Sequence, residues 1–277
     1  MDRLETMLLS TDGSEFSQGA VRTAVSLAGR CSSRLIAMTV VEVHEVYVIE
    51  APELVQKEVD RATGSVLAQV KKADSAGIKW ELVVKVGDDP WSLIISEAER
   101  NGAELIVMGR RGRTGLARMA MGSVTAKVIG HAPCNVLVVP READIECGTI
   151  IAATDGSVYG EAAIREALKM AAVCGSRLVV LSVAESDSDL QEAETIAAAG
   201  RQAAEGANIE SEALTASGKP YGVILSMAEE KNADLIVMGC RGRTGLSRLL
   251  MGSVAERVIA EAQCAVLVAC ASVAQPE

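Results

Sequence analysis

The residues best suited to chemistry lie in a glycine-rich segment that occurs twice, 130 residues apart. Residues 105–139 and 235–269 align without a gap and are identical at 23 of 35 positions. Each copy contains the spacing Gly-x2-Gly-x9-Gly-Ser: Gly109, Gly112, Gly122 and Ser123, then Gly239, Gly242, Gly252 and Ser253, with Gly115 and Gly245 as a further match. Many apolar residues can fill a core, so glycines at fixed spacing predict a loop that turns sharply and lets a ligand approach its backbone.

Serine and aspartate residues complete a candidate site in each copy. Ser123 and Ser253 stand where a helix is predicted to begin, and the free amide groups and helix dipole at such a point favour an anion. Asp12 and Asp155 follow the first predicted strand of each half, inside two Thr-Asp-Gly-Ser segments, where a carboxylate can accept hydrogen bonds from sugar hydroxyls. The alternative is that Ser123 is only a helix cap and Asp12 only a turn residue. That alternative accounts for Asp12 alone, but poorly for the whole set occurring twice.

Other familiar sites do not fit the sequence. The phosphate loop of nucleotide hydrolases ends in Gly-Lys-Ser/Thr, and the dinucleotide fingerprint follows the first strand, whereas this loop follows the fourth. The two histidines, His44 and His131, show no metal-ligand spacing. We therefore expect no zinc site and no histidine-based triad, and we single out no catalytic residue and no metal ligand.

The seven cysteines include no Cys-x2-Cys pair, and most have small or apolar neighbours, which favours reduced core thiols. Cys240 differs, because it lies in the second glycine loop where the first copy has Arg110. Its backbone can serve as well as that of arginine, so we expect at most a modest change in affinity. Since no resolving cysteine is close to Cys240 in sequence, a redox role is not expected.

Charge and hydropathy narrow the class of partner. The net charge of −10 opposes binding to nucleic acid, which rewards a basic surface. The glycine loops are basic nonetheless: residues 105–141 contain no Asp or Glu but include Arg110, Arg111, Arg113, Arg118, Lys127 and Arg141. Such a loop suits a small anion. No apolar run approaches the ~18–20 residues that span a bilayer, and the N-terminus does not resemble a signal peptide, so we expect a cytoplasmic protein without membrane insertion.

Strand and helix patterns alternate along both halves. Strands are predicted from Met7, at 35–41, 81–86, 105–108 and 136–139, and again from Ile150, at 178–183, 210–216, 235–238 and 266–268. Helices are predicted at about 17–30, 53–76, 91–101 and from Ser123, and again at about 160–174, 190–205, 221–232 and from Ser253. The first helix of each half would be capped by Asp12 or Ser14, and by Asp155 or Ser157.

This alternation predicts an α/β fold with a parallel sheet and helices on both faces. The aliphatic composition, only 2% aromatic, is typical of such a buried sheet. Ligands bind at the carboxyl ends of the strands, so the aspartate, the end of strand two and the glycine loop should converge there. We predict domains at 1–142 and 148–277, with a linker at about 140–148. The halves differ most in the connections 44–52 and 185–189.

Together these residues closely resemble the universal stress protein family in its tandem form, over roughly residues 3–140 and 148–271. The resemblance implies two tandem doubly wound, Rossmann-like domains, each a five-stranded parallel sheet with helices on both faces. It also implies an ATP-binding branch of the family, a Mg²⁺ ion with the ATP, and a role in the stress response. The last strands, 136–139 and 266–268, would pair as an intrachain pseudo-dimer and so cover a sheet edge, and a homodimer is also open.

The resemblance assigns roles to residues of both halves. Asp12 and Asp155 would contact the ribose and adenine region, the main chain of Val40 and Val183 would recognise adenine, and the remaining residues would line the nucleoside or wrap the phosphates. The full set is Thr11, Asp12, Val40, Met108, Gly109, Gly112, Gly122, Ser123 and Val124, then Thr154, Asp155, Val183, Met238, Gly239, Gly242, Gly252, Ser253 and Val254.

Four functions remain in competition. The first is a nucleotide-dependent regulator that binds ATP at one or both loops and acts on a regulatory protein partner that the sequence does not name. The second is an enzyme, a slow ATPase or nucleotide-handling protein, although neither loop has a phosphate-loop lysine or a clear general base. The third is a partner-binding protein without ATP, and the fourth binds AMP or a cyclic nucleotide. The divergent connections leave open that the two sites are not equivalent.

Overall fold

The computed structural model describes residues 4–71, 73, 77–112, 121–146, 148–243 and 251–270. The chain divides into two compact units, residues 3–142 and 143–277. Each unit has a five-stranded parallel sheet, which confirms the predicted α/β fold class.

In the first unit the strands are β1 (Thr6–Ser10), β2 (Arg34–Glu42), β3 (Trp80–Gly87), β4 (Leu105–Gly109) and β5 (Asn135–Val139), in the spatial order β3-β2-β1-β4-β5. Its described helices are α1 (Gln18–Cys31), α2 (Glu45–Glu50), α3 (Pro52–Val70), α4 (Pro90–Arg100) and α5 (Ser123–His131), with a 3₁₀ turn at Glu15–Ser17. Every residue of β4 is buried, as expected for a strand whose sheet is covered on both faces.

In the second unit the strands are β6 (Thr149–Ala153), β7 (Arg177–Ala184), β8 (Ser211–Ser217), β9 (Leu235–Gly239) and β10 (Ala265–Ala269), in the equivalent order β8-β7-β6-β9-β10. Its helices are α6 (Val158–Cys174), α7 (Leu190–Gly206), α8 (Pro220–Glu230) and α9 (Ser253–Glu261), with a 3₁₀ turn at Asp187–Asp189. β6 and β10 are buried along their whole length. Within the described part of the chain, no helix is both long and apolar enough to cross a membrane.

The connection 44–52, read from the sequence as a loop, contains the short helix α2. His44 caps this helix, because its Nδ1 accepts a hydrogen bond from the Val46 amide at 3.4 Å. Pro52 then starts α3, a position where the missing N–H costs nothing. No residue of α2 is buried, which explains why core periodicity did not reveal it.

Only one of the predicted caps on the first helices is formed. The Ser157 hydroxyl accepts a hydrogen bond from the Gly160 amide at 3.1 Å and so caps α6. In the first unit neither Asp12 nor Ser14 caps α1, since the 3₁₀ turn intervenes and α1 begins at Gln18. The Asp12 carboxylate instead accepts from the amide and hydroxyl of Ser14, at 3.0 and 2.7 Å.

Candidate functional site

The second unit has a cavity of about 480 Å³ at the carboxyl edge of its sheet, a size typical of small-molecule sites. The ends of β6, β7 and β9, the N-terminal parts of α7, α8 and α9, and the glycine loop after β9 surround it. All nine residues predicted for this half line the cavity: Thr154, Asp155, Val183, Met238, Gly239, Gly242, Gly252, Ser253 and Val254. Parallel strand ends therefore bring together residues about 100 positions apart in sequence.

The main chain of Val183 faces this cavity. The Thr154 amide, just past the end of β6, donates to the Leu181 carbonyl at 3.0 Å, so Leu181 directs its main-chain groups towards β6. Because alternate residues of a strand direct their N–H and C=O groups to the same side, Val183 points the same way, beyond the last residue of β6. The N–H donor and C=O acceptor of Val183 are therefore suited to hydrogen bonds with the edge of a nitrogen heterocycle.

The first unit repeats this arrangement at Val40. The Thr11 amide donates to the Met38 carbonyl at 2.9 Å, and β1 pairs with β2 only as far as Ser10 and Met38. The N–H and C=O of Val40 therefore point beyond the end of β1. Met108, at the end of β4, is buried like its counterpart Met238.

The carboxylate of Asp155 lies against the glycine loop. Its Oδ2 accepts the Arg243 amide at 3.0 Å, and its Oδ1 accepts the Ser157 amide at 3.0 Å. A Cβ placed on Gly242 would lie 2.9 Å from Oδ2, so any other residue there would displace the aspartate. The first unit has the same relation, since a Cβ on Gly112 would lie 3.1 Å from Oδ2 of Asp12. In each unit the aspartate therefore packs against the second glycine of the loop, Asp12 against Gly112 and Asp155 against Gly242.

The last glycine of the motif sets the start of a helix. The Gly122 amide donates to the Arg110 carbonyl and the Gly252 amide to the Cys240 carbonyl, both at 2.9 Å. Each of these glycines is an N-cap residue, so Ser123 begins α5 and Ser253 begins α9. The suggestion that Ser123 is only a helix cap is therefore wrong. Since glycine has no side chain to satisfy the amides of the first turn, those amides remain available to an anion.

The described part of the fold does not require glycine at these two N-cap positions. Gly122 and Gly252 both have φ of −66°, which any residue can adopt. Among the described residues, a Cβ would come no closer than 3.4 Å to the neighbours of Gly122 and 3.5 Å to those of Gly252. Gly239 is different, because a Cβ there would lie 2.7 Å from Cβ of Tyr159. Glycine at the N-caps keeps space open in front of the helix, which is the property a ligand would need.

None of the six described glycines of the motif has a left-handed backbone, so the backbone angles at these six positions do not require glycine. Close approach explains Gly109, where a Cβ would lie 3.1 Å from the Phe16 carbonyl oxygen, and the pair with aspartate explains Gly112 and Gly242. The remaining motif residues, Gly115, Gly245, Arg113, Arg118 and Arg248, lie outside the described residues.

Charge is distributed differently around the two loops. Burial, and then the cation of Arg111, lower the pKa of Arg110, so the first loop concentrates positive charge. In the second loop Arg241 donates from Nη1 to the Tyr159 hydroxyl at 2.9 Å and lies over that ring. Four carboxylates also line the second cavity: Asp155, Glu185, Asp189 and Glu192.

Several cavity residues were not predicted from the sequence. Glu192 and Ile196 of α7 and Ile224 of α8 line the cavity. The spacing of four between Glu192 and Ile196 places them on one helix face, which is the only local signal that could have found them. Arg243 forms two hydrogen bonds to Glu192, at 2.8 and 3.1 Å, and another from Nε to the Asp155 carbonyl at 2.6 Å.

The sheet order, the strand-end cavity and the glycine loop define a class: doubly wound α/β proteins with a ligand site at the carboxyl edge. Comparison with known proteins narrows it. The model of the Universal stress protein family matches residues 4–140 and 147–269, which is nearly the whole chain. The chain therefore belongs to the universal stress protein family, and it carries the family's domain twice.

Individual relatives agree with this assignment. A universal stress protein of Methanocaldococcus jannaschii is 35% identical over 139 residues, 49% of this chain and 81% of that protein. One from Synechocystis is 31% identical over 151 residues, 48% of this chain and 96% of its own. The crystal structure of a universal stress protein from Archaeoglobus fulgidus covers 98% of this chain and 100% of its own, at 24% identity and a TM-score of 0.79. That last similarity establishes the fold alone.

Proposed function

We propose that this universal stress protein binds ATP, or another adenine nucleotide, and acts as a nucleotide-dependent regulator. The observation that carries the proposal is the second-unit cavity, which is lined by every residue predicted for that half. The matching main-chain geometry at Val40, Gly112 and Gly122 extends the proposal to the first unit.

The chemistry of the cavity varies from one end to the other, as a nucleotide would require. The free main-chain edge of Val183 and the side chains of Ile224 and Met238 would hold the base. Asp155 has oxygens able to accept from ribose hydroxyls. The amides at the start of α9 would receive the phosphates, because three or four N–H groups there have no partner within the helix.

A Mg²⁺ ion fits this site if phosphates supply most of its ligands. Mg²⁺ is commonly bound through one or two carboxylates together with substrate phosphates and water, and Asp189 and Glu192 line the cavity. The ion would neutralise phosphate charge beside these acids. We assign no catalytic residue to the site, and the proposal allows at most slow hydrolysis.

The acidic lining also favours a second candidate. Four carboxylates around one cavity repel a nucleotide in proportion to its charge, which favours AMP or a cyclic nucleotide over ATP without a metal ion. The pairing of the last strands and the identity of a regulatory partner stay predictions.

The test is calorimetric titration of nucleotide-stripped protein with Mg-ATP, repeated with ATP plus chelator, AMP and cyclic AMP. We expect saturable Mg-ATP binding with one or two sites per chain, and weaker binding when Mg²⁺ is removed. Tighter binding of AMP or cyclic AMP would select the second candidate. No binding of any adenine nucleotide would contradict the proposal and leave a partner-binding role.

A further inference from the structure

Cys240 and Cys270 lie side by side at the ends of adjacent parallel strands. β9 and β10 pair in register up to Gly239 and Ala269, so the two cysteines are the next residues on each strand. The Cys240 amide donates to the Ala269 carbonyl at 3.2 Å, which continues the ladder one residue further. Neighbouring strands are about 4.8 Å apart, within the range of about 4.4–6.8 Å that a disulfide requires between Cα atoms.

The two thiols also interact. A hydrogen bond from the Cys270 side chain lowers the pKa of Cys240, burial opposes this, and the nearby Arg241 cation lowers the pKa further. The thiolate is the reactive form of cysteine. Cys240 is only 5% exposed, whereas Cys270 is partly exposed and can meet a small oxidant from solvent.

Among the other described cysteines, Cys31 and Cys134 are buried and Cys174 and Cys264 are partly exposed. Desolvation raises the pKa of Cys134 to about 12 and that of Cys264 to about 11, which opposes formation of the reactive thiolate. The first unit has Arg110 and Pro140 at the places of Cys240 and Cys270, because the Arg110 amide donates to the Val139 carbonyl in the same way. The thiol pair therefore belongs to the second unit alone.

We propose that Cys240 and Cys270 form a peroxide-oxidisable thiol pair that closes to a disulfide and restrains the second glycine loop. Hydrogen peroxide, or an organic hydroperoxide, oxidises the partly exposed Cys270. The Cys270 sulfur loses its proton and takes one peroxide oxygen to become a sulfenic acid, and the other oxygen leaves with that proton as water or an alcohol. The Cys240 thiolate then attacks the Cys270 sulfur, the S–O bond breaks, and water leaves after taking up the thiol proton. Two thiols and one peroxide thus give one disulfide and two molecules of water, or water and an alcohol.

The disulfide would act directly on the loop backbone. The Cys240 carbonyl accepts the amide of Gly252, the N-cap of α9, so a bond that fixes Cys240 to β10 also fixes the start of that helix. If the proposed function holds, oxidation changes nucleotide affinity in the second unit and leaves the first unit unchanged.

The first test needs no nucleotide. Reduced full-length protein is treated with stoichiometric hydrogen peroxide, free thiols are alkylated, and peptides are identified by mass spectrometry. We expect one cross-linked peptide pair containing Cys240 and Cys270, the loss of two free thiols, reversal by a dithiol reductant, and a free thiol at Cys134. The cross-linked peptide pair should be absent from C240S and from C270S. Oxidised C240S should retain a sulfenic acid at Cys270, which a sulfenate-trapping dione captures. Separate over-oxidation of the two cysteines, or no cross-link, would overturn the proposal.

Hydrogen exchange then tests the effect on the loop, again without nucleotide. In the oxidised protein we expect slower exchange of amides 251–256 and unchanged exchange of amides 121–126, which form the matched segment without a thiol pair. Equal exchange before and after oxidation would show that the disulfide does not restrain the loop. Both tests are made without nucleotide, so their results do not depend on the proposed function. That function fails separately if the reduced protein binds no adenine nucleotide.

Discussion

The two glycine loops share their backbone but not the side chains that support it. In the second unit Arg243 joins the loop to Glu192 of α7. Ser65 and Ile196 occupy equivalent places, since they are nearest to a Cβ on Gly13 and on Gly156. Arg61 precedes Ser65 by four residues, as Glu192 precedes Ile196, so Arg61 stands where the second unit has Glu192. Arg61 forms an ion pair with Glu58 of its own helix, α3.

In the first unit, polar side chains of α3 instead form hydrogen bonds to the turn that follows β1. Ser65 and Gln69 both donate to the Gly13 carbonyl at 2.9 Å, and the counterpart of Gln69 is Gly200. The groups proposed to meet a ligand, which are mainly backbone amides and one aspartate, are the same in both units. The surrounding side chains differ, which teaches that one backbone geometry can be supported by two different sets of side chains.

The largest expected effect comes from filling one N-cap space at a time. Gly252→Val should weaken Mg-ATP binding in the second unit by at least about 100-fold, or ~2.7 kcal/mol, because the side chain occupies the phosphate position. Gly122→Val should do the same in the first unit, and the double variant should bind no nucleotide. Calorimetric stoichiometry measures this, with circular dichroism as the check on folding. Full affinity in the folded double variant would refute the phosphate assignment.

The next effect concerns an ion-pair cluster of the first unit that is missing from the matching described positions of the second. Glu97 is 2% exposed and accepts from Lys85 at 3.2 Å, from Asn101 at 2.8 Å and from Arg100. The matching position in the second unit is Met227. Glu97→Gln should destabilise the first unit by about 1–3 kcal/mol, because a buried charge network loses its carboxylate. Both tryptophans, Trp80 and Trp91, lie in this unit, so their fluorescence during urea unfolding follows it selectively.

The same cluster predicts a pH dependence. Burial raises the pKa of Glu97, but hydrogen bonds from Arg100, Lys85 and Asn101 outweigh it, and the pKa lies below its ordinary value. A depressed carboxyl pKa stabilises the fold above the unfolded-state value of about 4.3 and loses this contribution as pH falls through the folded-state pKa. Wild-type tryptophan-detected stability should therefore fall more steeply below about pH 4.3 than that of Glu97→Gln. Parallel curves would contradict this, and Met227→Leu serves as the unaffected control.

A smaller effect is expected from the two aspartates. Asp155→Asn should weaken nucleotide binding in the second unit by about tenfold, since an amide offers one acceptor oxygen where the carboxylate offers two, which also receive the Ser157 and Arg243 amides. Asp12→Asn should act similarly in the first unit. Titration of each variant in a background where the other N-cap glycine is valine isolates one site. An unchanged affinity would remove the aspartate from the proposed ribose contact.

The smallest effect tests the ion pair that distinguishes the units. Glu192→Gln should tighten the binding of metal-free ATP, measured with chelator present, about threefold in the second unit at low salt, because a carboxylate is removed from the cavity and Arg243 is released from its partner. Raising the salt concentration should reduce the difference, since both side chains are about half exposed. The matched change Arg61→Gln should alter first-unit binding by about twofold or less. Weaker binding in Glu192→Gln would show instead that the ion pair orders the site.

Sequence patterns predicted most of the fold because they are local. Strands β2 and β7 were expected at 35–41 and 178–183 and occur at Arg34–Glu42 and Arg177–Ala184. Buried aliphatic runs identify such strands wherever they occur. Helix α2 was missed because it buries nothing. The caps of the first helices were only partly predicted: neither Asp12 nor Ser14 caps α1, because a 3₁₀ turn that periodicity does not reveal precedes this helix.

The sequence by itself determined which backbone segments form the candidate site, since the glycine spacing repeats and parallel strands must end at one edge. Only the tertiary structure decided which side chains meet there. Glu192 and Arg243 are 51 residues apart and Cys240 and Cys270 are 30 residues apart. Both pairs depend on the register and packing of whole elements, which no local pattern specifies. The sequence shows no cysteine close to Cys240 along the chain, whereas the structure places Cys270 beside it, because the two strands are adjacent in the sheet and distant in sequence.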